Sequence, residues 1–183
     1  MKKILFLSLS AFLVTAGFST AFAVGGGSSN TPAEPVLKCK QGEVVKKVKV
    51  NGAFVKKCVK VGAGILPDED LYQQARLLAK AGEYDWALQV LAAIQNQNDP
   101  RVLNYTGYSN RKAGRLEIGI TYYRKALAID PNFVLAREYL GEGYVAAGRI
   151  DLAQVELSEI KSRAGTDSEE YKDLAKAIAT VSN

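Results

Sequence analysis

Ala113-Gly114-Arg115-Leu116-Glu117-Ile118-Gly119 decides the fold, because the chain spells this segment three times. Ala81-Gly82-Glu83-Tyr84-Asp85-Trp86-Ala87 precedes it and Ala147-Gly148-Arg149-Ile150-Asp151-Leu152-Ala153 follows it, the glycines Gly82, Gly114 and Gly148 standing 32 and 34 residues apart. Around these copies, from Gly64 onward, alanine, leucine and charged residues recur at helical period, with prolines only at Pro67, Pro100 and Pro131. Asp99-Pro100 and Asp130-Pro131 each set a capping side chain before a proline suited to the first helical position, so each pair is expected to start a helix.

The pattern resembles the tetratricopeptide repeat, a helix-turn-helix unit of about 34 residues. The second repeat, Pro100 to Phe133, fits best through Leu103, Tyr105, Gly107, Gly114, Leu116, Gly119, Ile120, Tyr123, Ala126 and Leu127. The third, from Val134, matches with Leu140, Gly141, Tyr144, Gly148, Ala153 and Leu157. The first, from Asp68, carries Ala75, Leu78, Gly82, Tyr84, Ala87 and Leu91, with a second helix about two residues short. Ala75, Gly107 and Gly141 on the first helices, and Ala87, Gly119 and Ala153 on the second, are small where paired helices approach. No repeat has a core of its own, so the units must stack. A last helix closes the stack, with a capping box at Thr166-Asp167-Ser168-Glu169 and a stripe of Tyr171, Leu174, Ala175 and Ile178. The expected fold is mainly α: seven helices over residues 67–182, three repeats plus a C-terminal cap forming an α-solenoid, preceded by a small β-hairpin.

The resemblance implies a concave face lined by the first helices, where such proteins bind peptides. It presents Tyr72, Arg76 and Lys80 from the first repeat and Arg101, Asn104, Tyr108, Arg111 and Lys112 from the second. The third repeat, with Leu135, Glu138 and Glu142, is acidic to apolar. On this pattern Arg76, Arg101 and Arg111 would pair with carboxylates of an acidic protein or peptide partner, while Tyr72 and Tyr108 would pack on its apolar parts. The bland alternative is a solvated helix face. Asn104 with its basic neighbours resembles the carboxylate-clamp class, although those neighbours stand at other positions. Trp86 and the repeat tyrosines stand at core spacing and are expected to pack in the interior.

The hairpin, residues 38–62, is read from Val44–Val50 and Ala53–Val59 flanking Asn51-Gly52, because a type I′ turn needs positive φ at both central residues. Two-residue closure pairs Val50 with Ala53, Val48 with Val55, Lys46 with Lys57 and Val44 with Val59. Gly42 would turn the chain so that Cys39 meets Cys58, and a bridge closing that loop would add about 3 kcal/mol. Between Leu37 and Val61 stand eight lysines against one acid, Glu43. Lys46, Lys47, Lys49, Lys56 and Lys57 would either contact an anionic lipid or polymer surface or guard exposed strand edges against aggregation.

Ahead of the hairpin, residues 1–23 read as a secretory signal with Lys2 and Lys3, an apolar Ile4–Val14 run and an Ala21-Phe22-Ala23 cleavage signal. Export to a periplasm is the expectation, with an uncleaved signal anchor as the alternative. Residues 24–37, rich in Gly, Ser and Pro, read as a flexible linker. The two cysteines then meet an oxidising compartment and are expected to be bridged. The chain contains no histidine. Imidazole bases, triads built on them and histidine-ligated metals are therefore excluded. No phosphate-cradling glycine loop, nucleophile elbow or calcium loop occurs. No enzyme, cofactor, metal, nucleic acid or small-molecule substrate is expected. The function implied is that of a protein-interaction adaptor of the cell envelope, or of an envelope-binding protein in which the repeats act as spacer or dimeriser.

Overall fold

The computed structural model describes residues 37–181. The signal peptide expected over 1–23 and nearly all of the linker expected over 24–37 lie outside the described residues. The chain first forms β1 (Glu43–Val50) and β2 (Ala53–Lys60), paired antiparallel in the register the valines dictate, Val44 with Val59 and Val48 with Val55. Asn51 and Gly52 both take positive φ, 50° and 84°, which lets two residues close the turn without splaying the strands. Cys39 and Cys58 are bonded, their Cα atoms 5.5 Å apart.

Seven helices follow: α1 (Asp68–Lys80), α2 (Tyr84–Ala92), α3 (Pro100–Lys112), α4 (Leu116–Ile129), α5 (Val134–Ala146), α6 (Ile150–Ala164) and α7 (Glu169–Val181). They pack as three antiparallel pairs, α1–α2, α3–α4 and α5–α6, each leaning on the next, with α7 against α5 and α6. The small residues permit the approach. A Cβ on Gly107 would stand 2.7 Å from the Tyr123 ring and 3.0 Å from the Gly119 carbonyl, and one on Gly119 would stand 2.8 Å from Arg111 Cβ. Gly141 makes its room for a different neighbour: Leu174 of α7, fully buried, fills the space a side chain there would need. Among the described residues no helix is long and apolar enough to cross a membrane.

Helix ends follow the sequence in part. Asp99 caps α3, its carboxylate accepting from Arg101 N–H at 2.8 Å, with Pro100 in the first turn. Asp130-Pro131 does not start a helix. The Asp130 carboxylate instead accepts from Asn132 N–H at 3.0 Å, a local turn that delays α5 to Val134. The cap of α7 is Ser168 rather than Thr166, because the Ser168 hydroxyl accepts from Tyr171 N–H at 3.2 Å. α2, with 9 residues against 14 in α4, is shorter than expected. Asp68 steadies the segment after it by accepting from the N–H groups of Gln95 and Asn96 at 2.9 and 3.0 Å.

The hairpin is docked on the first repeat, not merely joined to it. Val44 is 2% exposed. The Gln74 side chain accepts from Val45 N–H at 2.7 Å and donates to Val45 C=O at 3.0 Å, saturating that stretch of the β1 edge as a neighbouring strand would. Trp86 donates its indole N–H to the Glu43 carbonyl at 2.9 Å. Trp86 packs, half-buried, against the core as its spacing implied, and also anchors the hairpin. The tip stands clear of the repeats, with Val50, Val55 and Phe54 exposed, Phe54 at 74%.

Candidate functional site

The first helices α1, α3 and α5 bring together a ladder of tyrosines. Tyr72 meets Tyr105 edge-on at 5.8 Å between centroids, Tyr105 meets Tyr108 at 5.9 Å, and Tyr108 meets Tyr139 at 5.1 Å. Such spacings favour edge and tilted ring contacts and fix the rings with little rotational freedom. Over this ladder opens a cleft of about 380 Å³. Tyr105, Tyr108 and Tyr139 line it, with Lys80 and Lys112 to one side. Glu138 and Glu142 of α5 and Glu169, Glu170 and Asp173 of α7 stand on the other.

The basic side is largely committed within the chain. Lys80 donates its ammonium to the Tyr139 hydroxyl at 2.7 Å and stands 4.8 Å over the Tyr108 ring. Arg101 pairs with Asp99 at 2.7 Å and Glu69 at 3.0 Å while covering the Tyr72 ring at 4.7 Å. Arg111, its side chain 9% exposed, forms a salt bridge with Glu142 and donates to the Tyr123 hydroxyl at 3.2 Å. Among the described residues Arg76 reaches Gln73, at 3.2 Å, and exposed Lys112 lies 5.8 Å from the Tyr108 ring. Asn104 corrects an expectation: it is 0% exposed, its amide enclosed without a hydrogen-bond partner among the described residues. Tyr72 and Tyr108, expected on the open face, are 8% and 9% exposed. The cause is the same for all three. The first helices lean on one another along the concave side, so positions that helical period alone marks as outward are covered by the next repeat.

The acidic side is not committed. Among the described residues neither Glu138 nor Glu170 nor Asp173 has a basic group at salt-bridge distance or a hydrogen bond to its carboxylate. Glu138 is 6% exposed. Burial first, then the carboxylates of Glu142, Asp173 and Glu170, push its carboxyl up to about 8, with Lys80 opposing. Burial also raises the Tyr72 hydroxyl to about 12 and Tyr139 well above its ordinary range, so both rings stay neutral near neutral pH. Sequence reasoning missed the share of α7 in this wall, giving Glu169 a place in a capping box and α7 the part of a closing cap. The signal was present in the spacing. Glu169 and Glu170 lie four and three residues before Asp173, so each is a helix-surface neighbour of it.

The hairpin lysines form a second cluster. Lys46 lies opposite Lys57 and Lys47 opposite Lys56, with Lys49 opposite Phe54. Cys39, Cys58 and Glu43 form the one Cys- or acid-rich group among the described residues close enough to hold a cation, but the two sulfurs are bonded to each other and offer no thiolate.

The family model described as Tetratricopeptide repeat matches residues 111–178. No curated protein matches the sequence. Among solved structures, the chain is similar to MamA, at 17% identity over 63% of this chain and 68% of that one, TM-score 0.54. It is also similar to the first repeat domain of Spaghetti (RPAP3) bound to the HSP90 peptide SRMEEVD, at 13% identity over 67% and 99%, TM-score 0.56. The Yersinia enterocolitica type III secretion translocator chaperone SycD gives 20% identity over 62% and 86%, TM-score 0.53. At these identities the likeness concerns the fold. Helix pairing and cap agree with the family match: residues 111–178 carry tetratricopeptide repeats, and α1 to α3 continue the same helix-pair stacking ahead of them.

Proposed function

We propose that this protein is a non-enzymatic interaction module that holds a segment of a partner protein in its concave cleft, acting as an adaptor in the cell envelope after export. The observation that carries this reading is the cleft itself: about 380 Å³, floored by tyrosines from two repeats and edged by charged side chains of both signs. Two similar domains point the same way, one bound to the peptide SRMEEVD and one named a translocator chaperone. Support for export comes from the leader-like sequence of residues 1–23 and from the Cys39–Cys58 bridge, a bond that persists in oxidising compartments.

The test is in-cell photocrosslinking from position 112, on the rim of the cleft, with position 118 on α4 as a control. A discrete protein adduct at 112, absent at 118, is the expected result. Equal labelling at both positions would remove the cleft from the function.

A second reading rests on the hairpin tip. Like charges directly opposite one another weaken a strand pair, so the Lys46–Lys57 and Lys47–Lys56 pairs do not serve the hairpin's own stability. With Phe54 74% exposed among them, the tip suits contact with an anionic lipid surface. Sedimentation with anionic vesicles that fails at high salt would support it, and salt-independent or absent sedimentation would end it.

A further inference from the structure

Resting on the reading that the cleft binds a partner segment, we infer that the side chain this cleft selects is basic: a lysine or arginine of the partner, seated between Glu138, Glu170 and Asp173 against the Tyr139 ring. Complementarity of charge argues for it. Five carboxylates line the cleft against two lysines. Lys80 is held by the Tyr139 hydroxyl, and Glu142 is taken by Arg111. What is left over is negative.

The decisive group is Glu138. An acid cluster on a helix end is ordinarily a solvated surface, but Glu138 is 6% exposed and has neither a hydrogen bond nor a basic partner at salt-bridge distance among the described residues. Burying a carboxylate without a partner is unfavourable, and proteins resolve this by pairing it or by keeping it protonated. Burial and the neighbouring carboxylates raise the Glu138 carboxyl to about 8, which favours the second course in the free protein below that pH. An arriving ammonium or guanidinium would permit the first, with the proton released to solvent and the carboxylate pairing with the cation. The aromatic wall suits the same guest. Lys80 already places an ammonium 4.8 Å from the Tyr108 centroid and 5.2 Å from that of Tyr139, so these rings tolerate a cation at close range. The acidic peptide SRMEEVD, bound by a similar domain, carries the opposite charge. The two clefts would then share a fold and differ in the sign they accept.

The test is an NMR titration of the whole protein with the blocked tripeptides acetyl-Gly-Lys-Gly-amide and acetyl-Gly-Arg-Gly-amide, with norleucine and glutamate versions as controls. Saturable shifts at Tyr139 and Asp173 with the basic peptides alone are expected. The groups facing Glu138 are Glu142 on its own helix, Lys80 from α1, Tyr108 and Lys112 from α3, and Glu170 and Asp173 from α7. Because Glu138 must ionise to pair, affinity should tighten with pH by up to about tenfold per unit and level off above about 8. Glu138→Gln should abolish this pH dependence and weaken binding about tenfold or more. The double variant Glu170→Lys, Asp173→Lys alters less buried α7 positions and should weaken binding to a similar extent without loss of fold. Shifts with norleucine or glutamate peptides at these residues, or basic-peptide binding indifferent to both variants, would overturn the inference. In that event a surviving adduct at position 112 in cells would leave the cleft as a partner site of other chemistry, whereas its loss as well would remove both.

Discussion

The basic and acidic sides of the cleft differ in what their charges are doing. On the α1–α3 side, Arg101 and Lys80 are engaged with Asp99, Glu69 and tyrosines, and Arg111 reaches across to Glu142. On the α5–α7 side, Glu138, Glu170 and Asp173 have no such partners among the described residues. The lesson is that the charge on a face says little about what it will bind; the charge left after internal pairing says more. Counting side chains along the first helices predicts an acidic guest, and counting unpaired ones predicts a basic guest.

The largest way to break this contrast is to remove the wall itself. Leu174 is fully buried against Gly141, and Leu174→Ala should cost about 2–5 kcal/mol and loosen α7 from α5. Denaturant unfolding would measure the loss, and cleft binding should fall with it. Next comes the cross-wall pair. Arg111→Met leaves Glu142 without its cation, and because Glu142 is 26% exposed the cost should be about 2–3 kcal/mol, below that of a fully enclosed pair.

A smaller effect of opposite sign is expected at Glu138. Its folded carboxyl is raised from 4.5 to about 8, so between those pH values the native state holds a proton that the unfolded state has released. Stability of the wild type should therefore fall as pH rises through that window, while Glu138→Gln should not share this fall. Solvent screening reduces the difference to on the order of 1–2 kcal/mol at pH 9, vanishing near pH 4, readable from paired melting curves. The smallest effect belongs to Arg101→Ala. Its ion pairs are exposed, so it should cost less than about 1 kcal/mol and leave cleft binding unchanged.

Much of the fold was legible because it depends on local pattern. The thrice-repeated glycine segment placed three helix pairs, Asn51-Gly52 fixed the hairpin register, and the small residues at 107 and 119 marked a close helix contact. The site was less legible because it depends on contacts between distant residues. Gln74 saturates Val45 across 29 positions, and Arg111 finds Glu142 across 31. Helical period assigns a residue to a face, but the closeness of neighbouring first helices decides whether that face is open. Asn104 shows the consequence, being outward by period and enclosed in fact. Asp130-Pro131 shows the local counterpart, since an Asp side chain that caps a helix can equally close a turn.

The most direct test of the asymmetry between the walls compares photocrosslinking from position 112 in cells carrying either Arg101→Glu or the Glu170→Lys, Asp173→Lys pair. The protein adduct should persist with Arg101→Glu and disappear with the α7 pair. Loss with Arg101→Glu and persistence with the α7 pair would contradict the assignment of binding to the acidic wall.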